Sequence, residues 1–298
     1  MPRTAPGPIA RLALYSEVSE GAAGLVITRY STSFGLASRF LGRAVRQPVR
    51  NIYALVRIAD EIVDGAADEA GLPRSTSARL LDDLERDTER ALADGYSANP
   101  IVHAFARTAR EAGIGAELTR PFFASMRMDL IETSHDEDSF RRYVFGSAEV
   151  VGLMCLRVFL TDAHRPYARD ELATLESGAR ALGAAFQKVN FLRDLAADAG
   201  ALGRSYFPGV DVTALTEGQK TALADDIDAD LARAAATLPL LPASSRRAVA
   251  LAHGLFAELN RRIRRAPAAT LAGTRIRVPD PVKLRIALAA AARGKAAS

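Results

Sequence analysis

Apolar residues recur at helical spacing along nearly the whole chain, from about Ile9 onward. They return every three or four residues, and no segment shows the alternating apolar and polar pattern of a half-buried strand. The periodicity is interrupted where glycine or proline occurs, as expected for turns between helices. These interruptions lie at 71–75, 97–100, 113–115, 164–166 and 208–209. The pattern predicts an all-α chain whose helices run for roughly ten to twenty residues.

Composition agrees with this fold class. Tryptophan is absent and aromatic residues make up only 6% of the 298 residues, which disfavours a sheet built from aromatic and β-branched side chains. A hydrophobic fraction of 49% is sufficient for a substantial core. No linker separates two cores and no fixed-period repeat is present. We therefore predict one domain over 1–298, with a flexible leader at 1–10 and a flexible tail at 294–298.

Two helix boundaries can be predicted from proline and glycine. Pro48 predicts a helix that starts after it, from about Val49 to Gly65. The break at 71–75 predicts a second helix from about Thr76 to Asp94.

The distribution of charge limits the class of ligand. The formal charge is +4 and the isoelectric point is near 9.4, but basic residues are scattered among nearly as many acidic ones. This pattern favours a small phosphate-bearing substrate over nucleic acid. The single cysteine, Cys155, excludes a disulfide framework and a cysteine metal site. It lies in an apolar run and is expected to be an ordinary buried thiol.

No segment contains the roughly 18 uninterrupted apolar residues of a membrane span, so the chain is expected in the cytoplasm. The C-terminal segment 282–293 reads as a basic helix with an apolar side. Packing on its own bundle and peripheral contact with anionic lipid at the inner face of the membrane both explain that helix.

The first acidic motif is the segment 60–64. Asp60 and Asp64 are four residues apart, so both carboxylates lie on one helix face, and Arg57 lies one turn earlier. Apolar neighbours surround these acids, and buried carboxylates need a cation or hydrogen-bond donors. Taken alone, the motif is better explained by a solvated helix edge with an ion pair from Arg57 to Asp60 or Glu61.

The second acidic motif changes that interpretation. Asn190, Asp194 and Asp198 occur at i, i+4 and i+8 and form a stripe of oxygen ligands, with Gln187 one turn before it. Carboxylate and amide oxygens suit magnesium, whereas zinc or iron would favour histidine or cysteine. Two acid-rich helices together are difficult to explain as surface.

Donor groups accompany the second motif. Arg193 adjoins Asp194, and Arg204 and Tyr206 follow shortly after it. Metal ions can bridge acidic helices to phosphate oxygens while guanidinium groups bind the oxygens that remain. Acids and arginines together therefore indicate a diphosphate substrate.

Five ordered motifs resemble those of the squalene and phytoene synthase family, the head-to-head branch of the trans-prenyltransferases. The motifs are the segments 30–38, 53–64, 126–130, 143–152 and 187–208. The resemblance spans most of the chain, and five motifs at compatible spacing are far more specific than one pair of aspartates. It implies an isoprenoid-synthase-like helical bundle with a central apolar cavity.

The resemblance also implies a set of site residues. The implied magnesium ligands are Asp60, Asp64, Asn190, Asp194 and Asp198, with Glu61 assisting. The residues implied around the diphosphates and adjoining carbons are Tyr30, Ser31, Thr32, Ser33, Tyr53, Arg57, Gln187 and Arg193. Those implied along the prenyl chains are Tyr143, Ala148, Val151 and Gly152. Close packing of helices explains the small residues as well, and for Gly152 the two explanations are equally good.

Three features depart from the family pattern or stand outside it. Lys188 occupies a position that is often apolar in the family, and it either adds a cation to the site or points outward. The stretch from Asp198 to Arg204 is one residue longer than usual, which makes the substrate roles of Arg204 and Tyr206 less secure. Asp129 either positions a metal-bound water or supports packing, and the four histidines, which share no ligand spacing, are expected at the surface or at helix ends.

The implied reaction joins two geranylgeranyl diphosphates head to head. It proceeds through a cyclopropylcarbinyl diphosphate, prephytoene diphosphate, to phytoene, with magnesium or manganese and without NADPH. The residues expected to act in catalysis are Arg57, Asp60, Asp64, Tyr143 and Asp194. Released diphosphate and Tyr143 are both candidates for the base that removes the final proton.

Two alternatives remain open from the sequence. The same ligands would serve synthesis of squalene, dehydrosqualene or hydroxysqualene from farnesyl diphosphate, because residue types do not give the depth of the tunnel. A non-catalytic helical assembly factor is the alternative from another class of protein, and the intact acids argue against it. The sequence predicts no oligomeric state.

Overall fold

The computed structural model describes residues 8–31, 33–197, 206–211, 214–271 and 273–293, and these residues are mainly helical, as predicted. The first seven helices are α1 (Pro8–Tyr30), α2 (Ser33–Ser38), α3 (Arg43–Val63), α4 (Ala66–Glu69), α5 (Arg74–Asp94), α6 (Pro100–Ala112) and α7 (Ala116–Ile131). The next are α8 (Glu137–Val144), α9 (Val150–Thr161), α10 (Arg169–Ala197), α11 (Glu217–Thr237), α12 (Ala243–Arg265), α13 (Ala268–Leu271) and α14 (Asp280–Arg293). A π-helical turn, Phe145–Glu149, joins α8 to α9, and a 3₁₀ turn, Leu238–Leu240, follows α11.

The predicted start of α3 after Pro48 is wrong. The helix begins at Arg43, with Pro48 inside it. Tertiary contact fixes this earlier start, because Val45 is fully buried and the N–H of Gly42 donates to the carbonyl of Ser244 at 2.7 Å. The loss of one helical hydrogen bond at proline is thus offset by burial of the first turn.

The second predicted helix is confirmed, because α5 ends at Asp94 and begins two residues before the predicted Thr76. It ends where Gly95 adopts a left-handed conformation with φ of +80°, which glycine accepts without steric cost.

The ends of the chain differ in part from the prediction. Helix α1 begins at Pro8, so residues 8–10 belong to a helix and not to a leader. Residues 1–7 and the predicted tail at 294–298 lie outside the described residues. The assignment of 1–298 to a single domain stays a prediction.

Among the described residues the buried core forms four clusters, and the two main ones include the helices of the acidic motifs. The larger one gathers side chains such as Ile52, Phe105 and Met154 from α3, α5, α6, α7 and α9. The smaller one is formed mainly by α8, α10, α11 and α12, with Leu192 and Ile227 at its centre. Helices α3 and α10, which carry the two acidic motifs, both pack against α9 and against α12. These shared partners fix the two motifs relative to each other.

Close approach of helices explains the small residues of segment 146–152. A Cβ at Gly146 would overlap the carbonyl of Pro121 and the hydroxyl of Ser125 in α7. A Cβ at Gly152 would overlap the carbonyl of Ala179 in α10. Packing alone therefore requires glycine at both positions.

One described helical stretch, Glu137–Thr161, is long and apolar enough to cross a membrane by those two criteria. No such stretch was expected from the sequence. Half of its most apolar window is buried inside the protein, where it supplies Tyr143, Met154 and other core side chains. A buried core helix of this composition meets the same criteria.

The expectation that the histidines lie at the surface or at helix ends is wrong for His253, which is half-buried in the middle of α12. His103 and His135 lie at helix ends, as expected, but neither is at the surface. His103 is 1% exposed, and its Nε2 lies 3.0 Å from the hydroxyl of Ser16. His135 is also buried. Cys155 is the expected inert thiol, because burial raises its pKa to about 12 and keeps it protonated near neutral pH.

Candidate active site

The first acidic motif occupies the C-terminal end of α3. Asp60 lies in its last turn, and Asp64 caps the helix by donating its N–H to the carbonyl of Asp60 at 2.8 Å. Burial raises the pKa of the Asp60 carboxyl to about 7, against the opposing effect of Arg57, and the charges of Asp64 and Glu61 raise it further. This group of acids is short of positive charge, which a bound cation would supply.

Glu61 and Arg57 form a second arrangement on the same helix. The guanidinium of Arg57 pairs with Glu61 and lies 4.6 Å from the ring centre of Tyr30. The other oxygen of Glu61 accepts the N–H of Ala66 at 2.9 Å. Both oxygens of Glu61 are therefore engaged, so its predicted assistance to a metal requires that one of these contacts be given up.

The second acidic motif lies on α10. The Oδ1 atom of Asn190 is buried and has no hydrogen-bond partner in the described part of the chain. An orphaned amide oxygen is costly unless a ligand satisfies it. Asp194 is paired with the Nε and Nη2 atoms of Arg193, at 3.0 and 2.5 Å. Asp198, Arg204 and Thr32, which were also predicted for the site, lie outside the described residues.

Arg275 was not predicted for the site and lies in it. Its Nε is 2.8 Å from Oδ1 of Asp194, although the two residues are far apart in sequence. Arg193 and Arg275 thus neutralise Asp194 from two directions. No local spacing in the sequence identifies this contact, because the loop after α13 carries no acidic or helical pattern that relates it to α10.

Tyr143 connects the two acidic motifs. Its hydroxyl donates to Oδ2 of Asp129 at 3.0 Å, and its ring centre lies 5.9 Å from that of Phe191, which follows Asn190 on α10. Burial raises the pKa of Tyr143 well above its usual value, and the charges of Asp129 and Asp64 add to the rise. Tyr143 therefore feels the charge at the end of α3 and packs against α10.

A layer of aromatic rings surrounds Tyr143. Tyr206 is 8% exposed and stacks on Phe191 with ring centres 4.0 Å apart. His135 lies 5.0 Å from Tyr143 and 6.0 Å from Tyr206, and its Nδ1 is 3.2 Å from a carboxylate oxygen of Glu132. The structure thus places the predicted Tyr206 beside Tyr143, together with His135, which was not predicted for the site.

A second aromatic group lies near the start of the site. Phe34 of α2 contacts Tyr53 of α3 at 6.4 Å, Phe186 of α10 at 5.5 Å and Phe256 of α12 at 5.6 Å between ring centres. Burial raises the pKa of Tyr53, which also hydrogen-bonds to Ser31. Phe34 belongs to the motif 30–38 but was not predicted as a site residue. Its position between α3 and α10 makes it a candidate apolar wall.

The remaining predicted residues fall into two groups. Gln187 is half-buried on α10, three residues before Asn190, and Tyr30 is 48% exposed against Arg57. Ala148 and Gly152 lie at the contact with α10, where the carbonyl of Ala148 approaches Gly183. Their role beside a prenyl chain stays a prediction, as does that of Val151. The role of Ser33 around the diphosphates also stays a prediction.

Lys188 points away from the acids of the site. Its Nζ contacts Asp226 at 2.5 Å and Asp230 at 2.8 Å, both on α11. Of the two alternatives for Lys188, the structure shows the one in which its side chain points away from the site. Lys188 joins α10 to α11 through these ion pairs.

The oxygen atoms of the two acidic motifs are suited to a magnesium ion that also binds phosphate oxygens of a substrate. The two motifs provide carboxylates and an amide oxygen, which are hard ligands of the type that magnesium takes. Within the described residues, no three acids, histidines or cysteines converge closely enough to hold a metal on their own. Magnesium usually completes its shell with water and substrate phosphates, so the two half-sites require no further protein ligand.

Comparison with known proteins places these residues in a family context. The family model described as "Squalene/phytoene synthase" matches residues 27–281. The chain is 31% identical over 208 residues to the phytoene synthase of Arthrospira platensis, covering 68% of this chain and 65% of that protein. It is 32% identical over 182 residues to the 15-cis-phytoene synthase of Pantoea ananas, covering 60% and 56%. The chain thus spans less than two thirds of the length of these relatives.

Solved structures show the same fold. A ligand-bound dehydrosqualene synthase superposes with a TM-score of 0.75 at 22% identity, covering 94% of this chain and 98% of that one. A squalene synthase from Alicyclobacillus acidocaldarius superposes with a TM-score of 0.68 at 20% identity, covering 85% and 95%. The predicted all-α isoprenoid-synthase fold is confirmed.

Proposed function

The chain belongs to the squalene/phytoene synthase family, and we propose that it is a phytoene synthase that joins two geranylgeranyl diphosphates head to head. The names of the relatives in Arthrospira and Pantoea support the choice of phytoene as product. The observation that carries the proposal is that two unsatisfied half-sites lie on helices that share the packing partners α9 and α12. Asp60, with its raised pKa, lies on α3, and the orphaned oxygen of Asn190 lies on α10.

Magnesium is the proposed metal, with manganese as a substitute. Asp60, Asp64, Asn190 and Asp194 would hold it, and when bound it stabilises the negative charge of the departing diphosphate. Arg57, Arg193 and Arg275 are the nearby guanidinium groups. Each can exchange its present carboxylate partner for a phosphate oxygen, because the fork of donors fits both groups.

Ionisation of the first donor breaks its C1–O bond and releases diphosphate together with an allylic cation. The double bond of the second donor captures this cation to form the cyclopropylcarbinyl diphosphate, with loss of a proton. A second ionisation and rearrangement then give the linear skeleton. The aromatic groups around Phe34 and Tyr143 would exclude water and stabilise positive charge with their ring faces.

Removal of the last proton creates the central double bond. The pKa of Tyr143 lies well above its ordinary value, so its hydroxyl stays protonated at neutral pH. Tyr143 could take the proton only while it passes its own to Asp129, 3.0 Å away. Released diphosphate is the other candidate acceptor. Neither route requires NADPH.

The cytoplasm is the proposed location, with peripheral contact at the inner face of the membrane when an oily product is released. The basic helix α14 supports that contact, because Leu284 and Leu288 are 62% and 64% exposed one turn apart. The central apolar cavity that would hold the prenyl chains belongs to the same proposal.

A product assay tests the function. Purified protein is incubated with labelled geranylgeranyl or farnesyl diphosphate and magnesium, with and without NADPH, and the hydrocarbons are separated by chain length. We expect phytoene from the twenty-carbon donor without NADPH. If only the fifteen-carbon donor gave a hydrocarbon, the protein would be assigned as a squalene-type enzyme. If neither donor gave a hydrocarbon, the assignment as an enzyme of this kind would be overturned.

A further inference from the structure

An open cavity of about 400 Å³ lies where the C-terminal end of α12 meets the segment 275–277. Ala266 and Ile276 form its apolar part. The other lining residues are all arginines, namely Arg261, Arg262, Arg265, Arg275 and Arg277. We call this cavity the arginine pocket. Its volume is in the range of small-molecule sites.

Carboxylates compensate only part of the charge of the arginine pocket. Glu258, which is 9% exposed, accepts the Nε of Arg261 at 2.8 Å and the Nε of Arg262 at 2.7 Å. Asp194 accepts the Nε of Arg275 and is shared with Arg193 outside the pocket. Within the described part of the chain, five guanidinium groups thus face two carboxylates. A concave surface with excess positive charge concentrates anions.

The dipole of α12 does not account for the pocket. Basic side chains are favourable in the last turn of a helix, which explains Arg262 and Arg265. Arg264 belongs to the same turn, and it is directed to Asp225 at 2.6 Å and Asp228 at 2.7 Å. Arg277 reaches the pocket from a separate segment, which gains nothing from that dipole.

The donors in the pocket are suited to phosphate. The Nε of Arg262 binds Glu258, and the Nε of Arg275 binds Asp194. Each contact orients the plane of its guanidinium group. The terminal amino groups of these two arginines have no partner among the described residues. Planar guanidinium groups held in this way bind phosphate oxygens in pairs. Arg275 also places the pocket one side chain away from the acidic motif of α10.

We propose that the arginine pocket binds inorganic diphosphate without a metal ion, outside the acidic motifs. The ligand is a small anion with two phosphoryl groups. The source of this anion, as the diphosphate released by the reaction, rests on the proposed function, whereas its binding does not. Diphosphate bound between the acidic motifs would require magnesium, because the carboxylates repel it. Binding in the arginine pocket would require no metal ion, because the arginines attract it.

Titration calorimetry of the full chain with sodium diphosphate in EDTA tests the proposal. The pocket variant is the double substitution Arg265→Gln/Arg277→Gln. The matched control is Arg79→Gln/Arg169→Gln, which removes the same charge from two exposed positions elsewhere. We expect wild type and control to bind with dissociation constants within about twofold of each other, and the pocket variant to bind about tenfold or more weakly.

Three results would overturn the proposal. They are absence of metal-free binding by the wild type, equal weakening in the pocket and control variants, and loss of binding to anionic lipid vesicles in the pocket variant with diphosphate binding unchanged. The last result would identify a lipid headgroup as the source of the phosphate. Because no turnover is measured, a failed product assay would leave this test intact.

Discussion

The Nε of Arg275 lies 2.8 Å from Oδ1 of Asp194, so a residue of the loop before α14 neutralises a predicted metal ligand on α10. Arg193 holds the same carboxylate through two further hydrogen bonds. Both guanidinium groups are paired with Asp194, so a metal ion bound at that carboxylate would release them to phosphate oxygens. We therefore propose that this contact couples metal binding to diphosphate binding.

This coupling predicts opposite effects of Arg275→Gln on two ligands. Manganese should bind the substrate-free protein somewhat more tightly, because one competitor for Asp194 is removed. The KM for the prenyl diphosphate should rise about tenfold, because one charged contact to phosphate is lost. Electron paramagnetic resonance of free manganese and steady-state kinetics measure the two effects. Arg285→Gln is the control, and a change of the same sign in both affinities would contradict the exchange.

Tyr143→Phe tests the hydrogen bond to Asp129. Loss of the hydroxyl removes a buried donor, so the free energy of unfolding should fall by about 1–3 kcal/mol. If Tyr143 relays the last proton, phytoene formation should fall about 100-fold, and water should instead capture the rearranged cation to give alcohols. Thermal melting and product analysis separate the two effects. Turnover that stays normal despite a lower melting temperature would assign the proton to released diphosphate.

Asp60→Asn should change how stability depends on pH. The pKa of Asp60 rises from 3.8 to about 7 on folding, so between these values the folded state holds a proton that the unfolded state lacks. The metal-free wild type therefore loses stability as pH rises through this window and levels off above it.

The Asp60→Asn variant lacks this loss of stability. At pH 8 its free energy of unfolding should exceed that of the wild type by about 1–2 kcal/mol, after allowance for the partial exposure of the site. The two proteins should converge near pH 4. Urea unfolding in EDTA at both pH values measures the difference. Parallel pH profiles for the two proteins would contradict the assignment of Asp60 as the titrating group.

Lys188→Met should affect stability and leave catalysis unchanged. The ammonium of Lys188 contacts Asp226 and Asp230, and Asp230 is 2% exposed. Loss of the ammonium therefore leaves the buried carboxylate of Asp230 with less positive charge to balance it. We expect a loss of about 1–3 kcal/mol, moderated because Arg233 also pairs with Asp230. Arg169→Gln on the same helix is the control. A large fall in kcat in the folded variant would return Lys188 to the site.

Local periodicity was sufficient to predict the fold class and most turns. The helical spacing of apolar residues and the breaks at 71–75 and 97–100 are local signals, and α5 ends at the predicted Asp94. The start of α3 could not be predicted in this way, because it depends on the hydrogen bond from Gly42 to Ser244, some 200 residues away. The burial of His103 likewise depends on its contact with Ser16 of α1.

The candidate site shows the same division. Asp60 and Asp64 are related by helical spacing, as are Asn190 and Asp194, so each pair could be recognised from sequence. Arg275 could not, because only the folding of the chain brings it to Asp194. Lys188 lies in the middle of a predicted motif, yet it turns to α11, since α10 presents two faces and its position alone does not say which face is used.

If the acids of α3 and α10 form one reaction centre, removing either acid should abolish the reaction. Turnover of purified Asp60→Asn and Asp194→Asn variants with geranylgeranyl diphosphate and magnesium measures this directly. Circular dichroism first establishes that each variant keeps its helical content, and Asp94→Asn, an exposed acid at the end of α5, is the control. We expect each site variant to lose hydrocarbon formation while the control keeps it. Full turnover in either folded site variant would contradict it.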